Sequence, residues 1–281
     1  MPDAAERPPI ATEPISLVLV AHNAAVDLEV ILRAWTSFLD SLKRSFEIVL
    51  VNDGSTDETA TLADMLAGRS SRVRVIHHTS RLGFGAALRS GIPVAQHPLL
   101  AYSTCDRQYR PDDLKRHLDL IDKVDLVNGY RVWLPVPPLL RALGGFYRGM
   151  VRVLFGIPLE PLPCWLGDYG QLKRCLARWV FGVRVHDVDC ALRLFRRSIF
   201  ARILLQSHGP FVQVEILAKA NFIGCWMAEA PVSYQESTTP AVQAFAKPSD
   251  TFLTEAYRLF SNPYFGPAVL EGAPAVVSPG T

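Results

Sequence analysis

Between Ile15 and Arg131, short apolar runs alternate with helical patterns, and this alternation constrains the fold more than any other feature. Ile15–Ala21, Ile48–Asn52, Val73–His77, Leu99–Ser103 and Asp125–Tyr130 read as strands. Asp27–Leu42, Asp57–Leu66, Gly83–Ala95 and Asp112–Ile121 read as the helices between them. A strand followed by a helical crossover returns parallel to its neighbour, so repeated units predict a mostly parallel sheet with helices on both faces. Such strands are buried on both sides and read as continuous apolar runs, as these do. The fold class expected is α/β.

The texture changes after Arg131. A proline-rich connector runs from Trp133 to Pro138, and two basic amphipathic stretches follow, roughly Leu139–Phe155 and Tyr169–Phe181. They look duplicated, because Val151-Arg-Val-Leu-Phe-Gly-Ile-Pro-Leu resembles Ala177-Arg-Trp-Val-Phe-Gly-Val-Arg-Val at an offset of 26 residues. From Cys190 the α/β texture returns, with a strand at Ala191–Phe195 and helices at Arg197–Leu205 and Phe211–Asn221. An extended segment, Trp226–Tyr234, is broken by Pro231, and a last helix is expected over Ser249–Phe260, capped by Ser249. This organisation gives one domain over 14–260 with an amphipathic helical insertion at about 133–182. Pro- and Ala-rich 1–13 and the Pro-, Gly- and small-residue-rich end at 261–281 read as flexible tails.

At 281 residues, with 49% hydrophobic and 20% charged, the chain can bury a full core. A net charge of +2 gives no case for nucleic acid as a general partner. The five cysteines are scattered and show no CxxC spacing, which points away from a zinc site or disulfide framework and towards a reducing compartment. No basic-then-apolar leader is visible, and no apolar run reaches the roughly 18 residues needed to span a bilayer. Membrane contact is therefore expected to be peripheral, with a cytoplasmic location at the inner face of the cell membrane.

The strand ends carry the chemistry. Glu47-Ile-Val-Leu-Val-Asn-Asp-Gly-Ser-Thr-Asp57 stops an apolar strand in an acidic turn, and Ser55 or Thr56 can cap a helix opening at Asp57 and Glu58. Ligands of open α/β sheets bind beyond the carboxyl ends of strands, where Asn52 and Asp53 would sit. A plain turn with a helix cap fits the same residues. The first junction, Val20-Ala-His-Asn23, offers backbone groups of Ala21 to Asn23 and the His22 ring, which is equally readable as a solvated side chain. Gly83 and Gly85, in Arg81-Leu-Gly-Phe-Gly, open a helix and permit close backbone approach to a phosphate. In Thr104-Cys-Asp-Arg-Gln108, Asp106 and Gln108 lie two apart, and their oxygens suit Mg2+ or Mn2+ on a diphosphate. The alternative is an exposed polar loop. Arg131, in Asn128-Gly-Tyr-Arg, can pair with phosphate through its planar fork.

Taken together and in this order, these motifs, with Asp187-Val-Asp-Cys-Ala-Leu-Arg-Leu-Phe-Arg-Arg197, resemble the family 2 glycosyltransferases over about Ile15 to Tyr234. Within them the similarity is to the polyprenyl-phosphate sugar transferases typified by dolichol-phosphate mannose synthase. The resemblance implies a GT-A fold, a nucleotide-diphospho-sugar donor and an inverting displacement onto a polyprenyl phosphate. It also implies nucleotide and phosphate contacts from Ala21, His22, Asn23, Asp53, Gly83, Arg131 and Arg193, with Asp106 and Gln108 holding Mg2+ or Mn2+. Asp187 and Asp189 fall near sugar and acceptor, where either would be the base for a hydroxyl acceptor; a cap or a structural salt bridge with Arg184 or Arg193 is the alternative for each.

Three positions depart from the family pattern. Thr104 stands where Asp-x-Asp usually begins, Ala24 replaces an acidic residue, and no later Arg or Lys is matched after Tyr234. They admit a changed acceptor, a saccharide or small-molecule hydroxyl among them, or a nucleotide-sugar binder that regulates a partner. Lipid contact has its own support in Leu139, Leu140, Leu143, Phe146, Tyr147, Met150, Val151, Leu154 and Phe155, which share one helical face away from Arg141, Arg148 and Arg152. A helix packed on its own domain would give the same pattern.

Overall fold

The computed structural model describes residues 13–132, 182–183, 185–235, 254–255, 257–258 and 261. The described elements run β1 (Ile15–Ala21), α1 (Leu28–Ser41), β2 (Phe46–Asn52), α2 (Thr59–Gly68), β3 (Val73–His77), α3 (Phe84–Val94), β4 (Leu99–Thr104), α4 (Leu114–Leu120), β5 (Leu126–Arg131), β6 (Arg193–Arg196), α5 (Val212–Phe222) and β7 (Met227–Val232). The strands form one sheet ordered β3-β2-β1-β4-β6-β5-β7. All its pairings are parallel except those of β6, which runs antiparallel to both β4 and β5.

Every residue of β1 and β2 is buried, the consequence of helices on both faces of continuous apolar strands. Their register sets Ala21 beside Asn52, Val20 beside Thr104 and Asn52 beside His77, so four strand ends make one rim. Leu28, Ile31, Leu32, Trp35, Phe38 and Leu39 are the buried stripe of α1, recurring at helical spacing. Pro231 lies within β7, which tolerates it because among the described residues β7 is an edge strand paired to β5 alone.

Several expected elements shift by one or two residues, β6 at Arg193–Arg196 and α4 from Leu114 among them, and two differences have a visible cause. Helix α2 begins at Thr59, two residues later than expected, because Ser55 and Thr56 bond to the first junction instead of capping a helix. Arg197–Leu205 forms only a short 3-10 turn over Arg197–Ala201. Beyond it, Glu215 accepts the N–H groups of Gln206 and Ser207, and the Lys219 ammonium donates to the Leu204 carbonyl. A fully buried ion pair on α5 thus takes the backbone groups a helix would have used. The connector at 133–138, both amphipathic stretches, residues 1–12 and 262–281 lie outside the described residues. Of the expected last helix, Thr254, Glu255, Tyr257 and Arg258 are described, and they are helical.

His117 on α4 is fully buried and donates its Nδ1–H to the Asp113 carbonyl at 3.1 Å. Burial pushes its pKa down to about 4. The unfolded chain takes up this proton near pH 6.5, so stability drains away as pH falls from about 6.5 to 4, by at most about 3 kcal/mol. Urea unfolding at pH 7.5 and 4.5 checks this, with a smaller loss expected for His117→Gln.

Candidate active site

The rim is wired before any ligand arrives. Asn23 turns the chain at φ 50°, donates its N–H to Ser55 Oγ at 2.9 Å, and accepts the Thr56 N–H on Oδ1 at 2.8 Å. The Ala24 N–H donates to Thr59 Oγ1 at 2.8 Å and that of Ala25 to Asp57 Oδ2 at 3.1 Å. Much of the polar turn after β2 therefore fastens the loop after β1. Gly54 sits at φ 58° against backbone, where a Cβ would lie 2.1 Å from the Ser80 carbonyl carbon.

Asp53 is fully buried. Its Oδ1 accepts the Leu82 N–H at 2.8 Å and lies 2.8 Å from His78 Nδ1, while Oδ2 accepts the Gly83 N–H at 2.9 Å. His78 reaches Ser90 Oγ at 2.9 Å through Nε2, and His22 Nδ1 lies 2.8 Å from the Asp53 carbonyl oxygen. The carboxylate thus fixes Leu82, Gly83 and His78, while the Asp53 backbone meets the Ala21 carbonyl and the His22 ring. Gly83 and Gly85 do permit close backbone approach, and the approaching backbone belongs to this chain. The His208 carbonyl accepts the Gly85 N–H at 2.8 Å, and a Cβ on Gly83 would lie 2.6 Å from that oxygen.

At the end of β4, Asp106 is 9% exposed and its Oδ1 accepts the Gln108 N–H at 2.9 Å. Burial pushes its pKa up to about 6 and the nearby Asp27 carboxylate adds to this, against the Gln108 N–H and the Thr104 hydroxyl. Thr104 Oγ1 is itself buried and makes no well-formed hydrogen bond. Among the described residues no group of three or more His, Cys, Asp or Glu gathers as a metal cage. Asp106 and Thr104 offer a carboxylate and a hydroxyl here, with Asp27 nearby and the half-buried Gln108 bonded through its backbone, a set that would need substrate oxygens to complete a shell. The loop is held in place by Tyr109, which bridges Tyr234 and accepts the Ala191 N–H on its hydroxyl at 3.0 Å, and by the Gln235 N–H on the Gln108 carbonyl at 3.0 Å.

Arg131 ends β5 with its guanidinium bidentate on Asp187, Nε to Oδ2 at 2.6 Å and Nη2 to Oδ1 at 2.9 Å, and stands 5.0 Å over the Tyr234 ring. Burial alone would raise the Asp187 pKa; the charge and hydrogen bonds of Arg131 outweigh it and hold the carboxyl below the ordinary range. Asp189, half-buried, donates its N–H to Asp187 Oδ1 at 3.0 Å. Arg193 is fully buried inside the sheet, donating to the carbonyls of Gln213 and Val188 at 2.8 and 2.7 Å. It stands beside Tyr102 and Asn128, and through Val188 it holds the backbone between Asp187 and Asp189. The rim loops bring Ala21, His22, Asn23, Asp53 and Gly83 together, and the Tyr109–Tyr234 contact ties Asp106 and Gln108 to Arg131 and Asp187.

Residues 16–151 match the Glycosyl transferase family 2 profile. The chain carries a family 2 glycosyltransferase domain. It is 30% identical over 197 residues to polyprenol monophosphomannose synthase of Mycolicibacterium smegmatis, covering 67% of this chain and 66% of that protein. It is 25% identical to dodecaprenyl-phosphate galacturonate synthase of Rhizobium johnstonii, covering 78% of this chain and 56% of that protein. The chain therefore spans somewhat over half to about two-thirds of these relatives' lengths. In fold it is similar to glucosyl-3-phosphoglycerate synthase from Mycobacterium tuberculosis, solved with Mn2+, UDP and glucosyl-3-phosphoglycerate. The TM-score is 0.55 at 16% identity, covering 89% of this chain and 78% of the other. The sheet of this glycosyltransferase domain is the GT-A arrangement.

Sequence reasoning missed several groups that build the site. His78 follows β3 at the same rim and could have been found as the next strand-end residue. Asn128, whose amide donates to the Asp187 carbonyl at 2.8 Å and to Glu229 Oε1 at 3.1 Å, is buried directly after the apolar Leu126 and Val127. A lone amide after such a run was its signal.

Proposed function

We propose that this chain is an inverting glycosyltransferase that moves a sugar from a nucleotide-diphospho-sugar onto a polyprenyl phosphate at a membrane surface. Asp106 carries the reading: a carboxyl buried at a strand end, with its pKa raised to about 6, beside the buried Thr104 hydroxyl. Groups kept at such a cost cluster at functional sites. The names of the two relatives support the acceptor.

In this reading the nucleotide lies against the backbone of Ala21 to Asn23, the His22 ring and the corner that Asp53 and Gly83 organise. Mg2+ or Mn2+, held by Asp106 and Gln108 with donor oxygens completing the shell, would supply charge against the departing diphosphate. An acceptor phosphate oxygen attacks the anomeric carbon from the face opposite the nucleotide. The new C–O bond forms as the old one breaks, and the diphosphate leaves with the electron pair. An anionic acceptor has no proton to lose, so no strong base is required. This agrees with Asp187 being committed to Arg131, which together brace the acceptor side next to Asp189. Arg193 contributes here as a brace for the Val188 carbonyl. A hydroxyl acceptor is the second reading, favoured only by the half-buried Asp189 as base.

Membrane contact would be peripheral at the inner face. Among the described residues no helix is long and apolar enough to cross a membrane. Radiolabelled nucleotide sugars, offered with polyprenyl phosphate in anionic liposomes and Mg2+ or Mn2+, test the whole reading. Label in the lipid extract is expected. Label confined to a water-soluble glycoside indicates the hydroxyl acceptor, and binding without turnover indicates a regulatory binder.

A further inference from the structure

Glu255 is remote from the rim in sequence, yet its carboxylate is wired towards it. It is 8% exposed, and Oε1 accepts the N–H groups of His208 at 2.7 Å and Gly209 at 2.8 Å. Gly209 leaves the room: a Cβ there would lie 3.2 Å from Glu255 Oε2. Among the described residues Oε2 is buried with no hydrogen-bond partner, an arrangement that costs free energy by itself. What that cost maintains is visible on the other side of the same peptide.

There the His208 carbonyl accepts the N–H groups of Gly85 at 2.8 Å and Ala86 at 3.2 Å, closing the first turn of α3. No slack exists at this contact, since Cβ atoms on Gly83 and Gly85 would lie 2.6 Å from His208 O and 2.3 Å from Ser207 O. Segment 204–208 is also fastened from beneath by Glu215 and Lys219, and from the side by Arg89 Nη1 on the Gln206 carbonyl at 3.1 Å. A shift of the 208–209 peptide cannot be absorbed there and is passed to Gly83–Gly85. The neighbouring Leu82 and Gly83 N–H groups are the two that close on Asp53.

We infer that Glu255 is a positioning residue for the nucleotide corner: by holding the His208 and Gly209 N–H groups it sets the His208 carbonyl against α3, and through Gly83–Gly85 it sets the amides that grip Asp53. The inference rests on the nucleotide-site reading of that rim. Its test uses the full chain with Glu255→Ala and Glu255→Gln, by calorimetric titration of UDP and GDP with Mn2+ and by amide hydrogen exchange without ligand. Glu255→Ala is expected to weaken nucleotide affinity about three- to tenfold, and Glu255→Gln less, because its carbonyl can still accept. Turnover at saturating donor is expected to stay within about twofold, separating positioning from chemistry. Exchange at Leu82 and Gly83 should quicken while β1 and β2 keep their protection. Unchanged exchange at Leu82 and Gly83, faster exchange with unchanged affinity, or a uniform rise across the sheet overturns it. If the parent protein binds neither nucleotide, the nucleotide-site reading fails on its own, and exchange still decides whether Glu255 holds the Asp53 amides.

Discussion

Asp106→Asn lowers sugar transfer by about a thousandfold, while in metal-free buffer at pH 7.5 the variant melts no lower than the parent protein. The first half follows from how the Asp106 side chain is bonded. Its Oδ1 accepts the Gln108 N–H and the Thr104 hydroxyl adds a little, which is modest internal compensation for a buried carboxylate. Several kcal/mol of charge stabilisation on a leaving diphosphate would depend on it. The second half follows from burial. A carboxylate taken out of water with little compensation opposes folding, and an isosteric amide removes that opposition. Turnover of the nucleotide-sugar donor and a thermal melt read the two halves separately. Retained turnover sinks the metal reading. Lost turnover with a collapsed melt would make Asp106 an ordinary structural residue.

The sheet was largely legible because its signal is local. Ile15–Ala21 and Val73–His77 begin and end where the apolar runs do, and the remaining early strands differ by one or two residues. Local pattern fails where long-range partners decide. Arg197–Leu205 has a helical pattern, but a buried Glu215–Lys219 pair from a later helix claims its backbone. Strand ends told which residues reach the rim, and not what faces them there. Asp53 gave no sign that Leu82, Gly83 and His78 would surround it, because those donors arrive from the next crossover. The two glycines of Gly83-Phe-Gly85 fit a phosphate or a neighbouring chain equally well on paper. Only folding brings the 207–208 backbone against them.

The Arg131–Asp187 pair is where the other large effect is expected. The two side chains are 10% and 2% exposed, and both guanidinium bonds are at charge-assisted distances, 2.6 and 2.9 Å. Salt screens such a pair little, so its contribution should persist at high ionic strength. Asp187→Ala takes the bidentate carboxylate away from a buried guanidinium, and should cost about 3–5 kcal/mol of unfolding free energy. Asp187 also accepts the Asp189 N–H, and its own carbonyl takes the Asn128 amide, so the segment carrying Asp189 should loosen with it. Urea unfolding of Asp187→Ala, Arg131→Met and the double variant measures this directly. The double variant is expected to be less destabilised than the sum of the singles, because each single variant already loses the bonds the two side chains share. Strict additivity would mean the two side chains act independently, and the brace would not exist. Turnover tests the acceptor side separately. If Asp187 were a base rather than a partner of Arg131, Arg131→Met would free its carboxylate and leave transfer to a hydroxyl intact. With the pair as a brace, both single variants lose transfer together.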